Sequence, residues 1–125
     1  MIYLSLEQII ELHDALIEKF GGLRGIRERG LLESAVVGPM MAVFGEELHK
    51  TIYNKAAAYL FYIAKNQAFL DGNKRTAAAA ALAFLRVNGK FIKYDVDEFL
   101  EFVVSVAENK ADLNVISNYF EKICC

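Results

Sequence analysis

The stretch from Asn73 to Asn88 constrains this chain more than any other. It carries an alanine run, Ala77 to Ala81, followed by Leu82, Ala83, Phe84 and Leu85, so its middle is apolar on every side. Alanine is the strongest helix former, and Asn88-Gly89 supplies a C-terminal stop. A helix apolar all round has no face to give to water and belongs at the centre of a bundle. The same helix nevertheless opens on Asn73-Lys74-Arg75, directly after the turn residues Asp71-Gly72. A basic first turn on such a helix is expected to face a buried helix end, where unpaired charge is costly unless an anion meets it.

The rest of the chain supplies partners for such a helix. Ser5 is a good N-cap, and Leu6, Ile9, Ile10, Leu16, Ile17 and Phe20 recur at helical spacing until Gly21-Gly22, which predicts a helix over 5–20. A connector rich in glycine and arginine, Gly21 to Gly30, precedes a short apolar segment, Leu31 to Val37, stopped by Gly38-Pro39. Met40 to Lys50 has no clear period and reads as a loop or small hairpin. Thr51 to Asn66 reads as a helix with Ile52, Ala56, Tyr59, Leu60 and Ile63 on one face. Asp95 caps a helix bearing Phe99, Phe102, Val103 and Val106; Asp112 opens another bearing Val115, Ile116, Tyr119, Phe120 and Ile123. No strand-period segment of useful length, repeat or linker is present. The expected fold class is all-α, a compact bundle of five to six helices in one domain, 1–125.

Composition narrows the function. With 55% hydrophobic residues, 24% charged residues and one proline, the chain is too apolar to be disordered. A net charge of -2 leaves no broad basic face for phosphate neutralisation, so direct nucleic-acid binding is not expected. The longest apolar run, Ala77 to Leu85, is half the roughly 20 residues a membrane helix needs, and no basic-then-apolar leader opens the sequence. A cytoplasmic protein with no membrane partner is the expectation. The two cysteines, Cys124 and Cys125, are adjacent and cannot staple distant parts of a fold or form a zinc site alone.

The chemistry concentrates in Asn66-Gln67-Ala68-Phe69-Leu70-Asp71-Gly72-Asn73-Lys74-Arg75-Thr76. A helix N-terminus carries unpaired N–H groups and a partial positive charge that attract anions. Asn73, Lys74 and Arg75 add donors and charge, and Asp71 is placed to hold a magnesium ion against phosphate oxygens. A nucleotide-phosphate site is one reading of this string. The bland alternative for the same string is an Asp-Gly turn, an Asn73 cap and two solvated cations.

Phe69, Asp71, Gly72, Asn73, Lys74 and Arg75 match the signature of the Fic/Doc superfamily in the form written by its Doc (death on curing) branch. The resemblance continues through Phe84-Leu85-Arg86-Val87-Asn88-Gly89. Upstream, Gly21-Gly22, Gly25-Ile26-Arg27 and Gly30-Leu31-Leu32-Glu33-Ser34-Ala35 also look like Doc chains, so nearly the whole sequence is covered. Lys74, where Fic proteins usually have glycine, and Ala78, where they have a second arginine, favour the Doc branch. The resemblance implies a toxin of a toxin–antitoxin pair that transfers the terminal phosphate of ATP to a hydroxyl of elongation factor Tu; Fic relatives transfer AMP instead.

The resemblance further implies that Asp71 binds magnesium. Gly72, Asn73 and the helix N-terminus would hold phosphate oxygens, Lys74 and Arg75 would stabilise transferring charge, and Phe69 would anchor the loop. Met40 to Lys50 corresponds by order to the family's target-docking flap, and a cognate antitoxin is the implied second partner. One departure matters. The family histidine that takes the proton from the target hydroxyl should stand two residues before Phe69, and this chain has Gln67 there. An amide orients a hydroxyl but cannot act as its general base, and losing a positioned base typically costs about 10²–10⁴ in rate.

Other polar residues carry less. His13 falls on the apolar stripe of the first helix and reads as a buried histidine with one hydrogen bond. His49, beside Glu46 and Glu47, reads as exposed, and Arg24, Arg27 and Arg29 as part of a connector packed on the bundle. Ser117 and Glu121 have the spacing of an inhibitory Ser-x-x-x-Glu, but Lys122 breaks that motif, and an exposed helix face is expected. Two further functions compete with a transferase. A catalytically silent pocket would bind nucleotide or partner without turnover, and a helical DNA-binding regulator would show a salt-sensitive shift on duplex DNA.

Overall fold

The computed structural model describes residues 1–125. Six α-helices follow one another: α1 (Leu6–Phe20), α2 (Arg29–Val37), α3 (Ile52–Asn66), α4 (Asn73–Val87), α5 (Val96–Ala107) and α6 (Leu113–Ile123). A 3-10 turn, Gly38–Met40, ends α2. It leads into an antiparallel hairpin of β1 (Ala42–Val43) and β2 (Glu46–Glu47), in which Ala42 faces Glu47 and Val43 faces Glu46. The all-helical expectation holds, and the unpatterned segment resolves as the hairpin. No helix is long and apolar enough to cross a membrane.

The predicted caps act as expected. The Ser5 side chain accepts the Gln8 amide while the Gln8 side chain accepts the Ser5 amide, a complete capping box. Asp95 and Asp112 each accept the amide three residues on, and Thr51, read in the sequence as the first residue of its helix, does the same from the N-cap position. In α4, Ala77, Ala80, Ala81, Phe84 and Leu85 are all buried, and the small side chains of the three alanines let α3 lie close alongside. The central role is shared, however. Helix α4 packs on α1, α3 and α5, whereas α3 also reaches α2 and α6, because Ala56, Ala57, Ala58, Tyr59, Leu60 and Ile63 bury more than one face. The N-terminal segment is tied to this pair through Tyr59, whose hydroxyl accepts the Leu4 amide at 2.9 Å, and burial raises that phenol to about 12.

Two expectations fail, both at polar residues. His49 is buried at 5% exposure, because the segment after β2 folds onto α3 and sets its Nε2 3.0 Å from the Tyr62 hydroxyl. Ser117 is also buried: its hydroxyl donates to Asn54 Oδ1 at 2.6 Å, fastening α6 to α3. It is not part of an exposed face.

Burial, and then the nearby Lys55 charge, hold the His49 imidazole below its ordinary value of 6.5. An unfolded chain therefore binds this proton more readily than the native one, and stability rises with pH across the interval between the two values. The contribution is complete above about pH 7 and is lost as acidification carries the pH below the ordinary value towards the native one. The urea midpoint of the native chain should fall relative to that of His49→Gln between about pH 7.5 and 5.5. Parallel pH profiles for the two proteins would remove His49 as the cause.

Candidate phosphate-binding site

The motif loop runs from the end of α3 to the start of α4 and is held to the connector by an isolated antiparallel bridge. The Arg27 and Glu28 amides both donate to the Ala68 carbonyl, at 2.7 and 3.0 Å, and the Leu70 amide donates to the Gly25 carbonyl at 3.0 Å. Ile26 and Phe69 thus form an antiparallel bridge. The glycine- and arginine-rich connector is therefore the frame against which the loop is registered. Sequence reasoning assigned it only a packing role, since a bridge joining residues 26 and 69 leaves no local pattern.

Phe69 fills the centre of the loop at 2% exposure, its ring stacked on His13 with centroids 3.7 Å apart and planes 5° apart. The Asn73 side chain clasps its backbone twice, Oδ1 accepting the Phe69 amide and Nδ2 donating to the Phe69 carbonyl, both at 3.0 Å. Asn73 thus spends its side chain on shaping the loop. What it can still offer an anion is its backbone amide.

Residue 67 sits at the α3 C-cap in the left-handed conformation, φ 48. A non-glycine residue holds this conformation where its surroundings impose it. The imposing group is Arg27, whose Nε and Nη2 donate to the Gln67 carbonyl at 3.0 and 2.7 Å. A cation on the last carbonyls of a helix also complements the helix dipole.

At the other end of the loop, His13 Nε2 donates to the Asp71 carbonyl at 2.7 Å, and its Nδ1 lies 3.3 Å from Asp14 Oδ1. At 1% exposure, with its ring covered by Phe69, this imidazole is a structural pin and no substitute for the missing base. The Asp71 carboxylate accepts the Leu23 amide at Oδ2, 3.2 Å, and the Gly72 amide at Oδ1, 2.9 Å. Gly22, at φ 123, makes the first contact possible, since a Cβ there would stand 2.7 Å from Asp71 Oδ2. Each oxygen keeps acceptor capacity for a further partner.

Helix α4 begins without a side-chain cap. Gly72 stands at the N-cap with φ 76, and the first amide in the ladder is Thr76, on the Gly72 carbonyl at 3.0 Å. The amides of Asn73, Lys74 and Arg75 precede it and form the open, electropositive end of the helix. They border a cleft of about 370 Å³ lined by Ala64, Gln67, Leu70, Asp71, Gly72, Asn73, Lys74, Arg75 and Ala107. Every residue singled out in the sequence for catalysis, phosphate or metal contact lines this cleft. The buried helix end expected from the sequence is not found: α4 opens at the rim of the cleft, so Lys74 and Arg75 are exposed, and the Arg75 guanidinium lies 4.3 Å from the centroid of the Phe20 ring. That stacking accounts for an aromatic residue standing in water at the end of α1.

The cleft is of a size that takes small ligands. Its donors are three helix-end amides, an ammonium and a guanidinium, a set that suits phosphate oxygens. No group of three or more His, Cys, Asp or Glu residues forms a protein-only metal cage. A single carboxylate is enough for a magnesium ion whose other ligands are phosphate oxygens and water, and Asp71 has the chemistry to supply it.

Comparison with known proteins agrees in extent with the resemblance. The family model described as "Fic/DOC family" matches residues 3–85, more than half of the chain. The toxin Doc of Mycolicibacterium smegmatis is 42% identical over 100 residues, covering 78% of this chain and 77% of its own. The protein kinase doc of Escherichia phage P1 is 33% identical over 123 residues, covering 98% of this chain and 96% of its own.

Proposed function

The chain belongs to the Fic/DOC family, and from that premise we propose that it is a Doc-type toxin of the cytoplasm. In this reading it uses Mg–ATP to transfer the γ-phosphoryl group to a hydroxyl of a protein acceptor, elongation factor Tu by family analogy, and a cognate antitoxin restrains it. The observation that carries the reading is the uncapped start of α4, with Asp71, Lys74 and Arg75 around one cleft.

Magnesium, when bound, would neutralise charge on the phosphates and stay attached to the protein through Asp71. The backbone amides of residues 73–75 hold the phosphate oxygens. Lys74 and Arg75 stabilise the charge that develops as the bond from γ-phosphorus to the acceptor oxygen forms and the bond to the β–γ bridging oxygen breaks, releasing ADP. Arg75 reaches the phosphates by leaving the Phe20 ring. Gln67 orients the acceptor hydroxyl but does not take its proton, which passes to water, so the native chain is a slow enzyme.

Calorimetric titration of the native chain with ATP tests the pocket directly. Binding is expected at or below millimolar nucleotide, strengthened by magnesium and weakened by Asp71→Ala, and weakened about tenfold or more by Lys74→Ala or Arg75→Ala. No binding at millimolar ATP, with or without magnesium, would sink the reading. Binding with no transfer of α or γ label during long incubation would favour a silent binding module, a reading that Gln67 itself supports. Transfer of the α label would make the chain a nucleotidyl transferase.

A further inference from the structure

Every residue from Met40 to Leu48 is exposed, so the β1–β2 hairpin is not held in place by buried apolar surface. Two residues per strand are also too few to make it stable alone. What fastens it is polar and comes from α3. Lys55 is buried at 1% exposure, and its Nζ donates to the His49 carbonyl at 2.5 Å and to Glu47 Oε1 at 3.2 Å. One ammonium therefore grips β2 itself and the residue that returns the chain to the bundle. The hairpin tip lies in water, where Phe44 is wholly exposed at a left-handed backbone position, φ 51.

Burying a lysine carries a large desolvation penalty, and an apolar residue of similar volume commonly serves packing as well or better. The charge is explained by what it holds. We propose that Lys55 is a positioning residue for protein-acceptor recognition, its buried ammonium fixing the hairpin in the orientation in which it meets the acceptor. This inference rests on the transferase reading above and on the correspondence, by order along the chain, of Met40 to Lys50 with the target-docking flap that the family resemblance implies.

Hydrogen exchange reports on the tether without any need for activity. In Lys55→Met, the Leu48 amide, which donates to the Met41 carbonyl at 2.9 Å, should exchange about ten to a hundred times faster, the loss of one to two charge-assisted hydrogen bonds. Amides of α3 and α4 should keep their protection. Glu47→Lys, at a half-exposed position, sets a second ammonium against Lys55 and should accelerate the same amide without disturbing the core.

In a Gln67→His background with elongation factor Tu as acceptor, Lys55→Met should raise KM for the acceptor several-fold and leave kcat and Mg–ATP affinity in place. A residue that only supports packing would move all three. Unchanged Leu48 exchange in Glu47→Lys, or a freed hairpin with unchanged acceptor KM, overturns the proposal. Failure of the Gln67→His parent to bind or transfer nucleotide overturns the transferase reading instead, and with it the recognition role of Lys55, while the exchange result still decides whether Lys55 holds the hairpin.

Discussion

Gln67→His is expected to raise γ-phosphoryl transfer from Mg–ATP to a protein hydroxyl by about 10²–10⁴-fold, the usual worth of a positioned general base. The backbone is already set for it. Residue 67 is held at φ 48 by two hydrogen bonds from Arg27 to its carbonyl, a grip that does not involve the residue 67 side chain. Histidine is among the residues that enter the left-handed region with relative ease, so the exchange adds little strain. Position 67 lines the cleft, and an imidazole there can take the acceptor proton that an amide leaves to water.

The change should appear in kcat and hardly in nucleotide affinity, because the helix-end amides, Lys74 and Arg75 are untouched. Label at the γ position entering the acceptor only, or far faster, in the variant is the expected result. Equal and negligible transfer by both proteins, with ATP bound by both, would leave a binding role as the better account of the cleft.

The distribution of correct and incorrect expectations follows the range of the interactions involved. Helix limits were readable because caps and periodicity act over three or four residues: Ser5, Thr51, Asp95 and Asp112 each cap through the amide three residues on. The cleft was readable because its lining is nearly contiguous, with Leu70 to Arg75 supplying most of it. The frame around the cleft was not. Arg27 lies 40 residues from Gln67, and His13 lies 58 from Asp71, so neither pairing leaves a trace at helical or strand spacing.

His49 and Ser117 were misread for the same reason. Each is a polar residue in a segment that also carries charged side chains, and each is buried by partners on α3, Tyr62 with Lys55 in one case and Asn54 in the other. Lys55 shows the limit most clearly. It stands among alanines and aromatics where a composition rule expects an apolar side chain, and only the hairpin folded over it explains its charge.

Phe69→Ala is expected to cost about 3–5 kcal/mol of stability, as large-to-small substitutions of buried aromatics do. Against the roughly 5–15 kcal/mol that holds a domain of ordinary stability, this is a large fraction. Here the loss also reaches the site. The Phe69 ring is the floor on which His13 stacks, His13 carries the Asp71 carbonyl, and Asp71 carries the Leu23 amide. Removing the ring opens a cavity beside the imidazole and loosens the carboxylate that faces the cleft.

Phe69→Leu retains much of the buried volume and loses the ring-on-ring contact, so its cost should be well below that of alanine. A double-mutant cycle with His13→Ala should return a coupling of about 0.5–1.5 kcal/mol for the stack. Urea unfolding with an unchanged slope measures all of these, and ATP titration of whatever remains folded measures the site. A loss under about 1 kcal/mol for Phe69→Ala would mean that the loop is not integral to the core. The alignment of Asp71 with the end of α4 would then have to come from the Asn73 clasp and the Ile26 bridge alone.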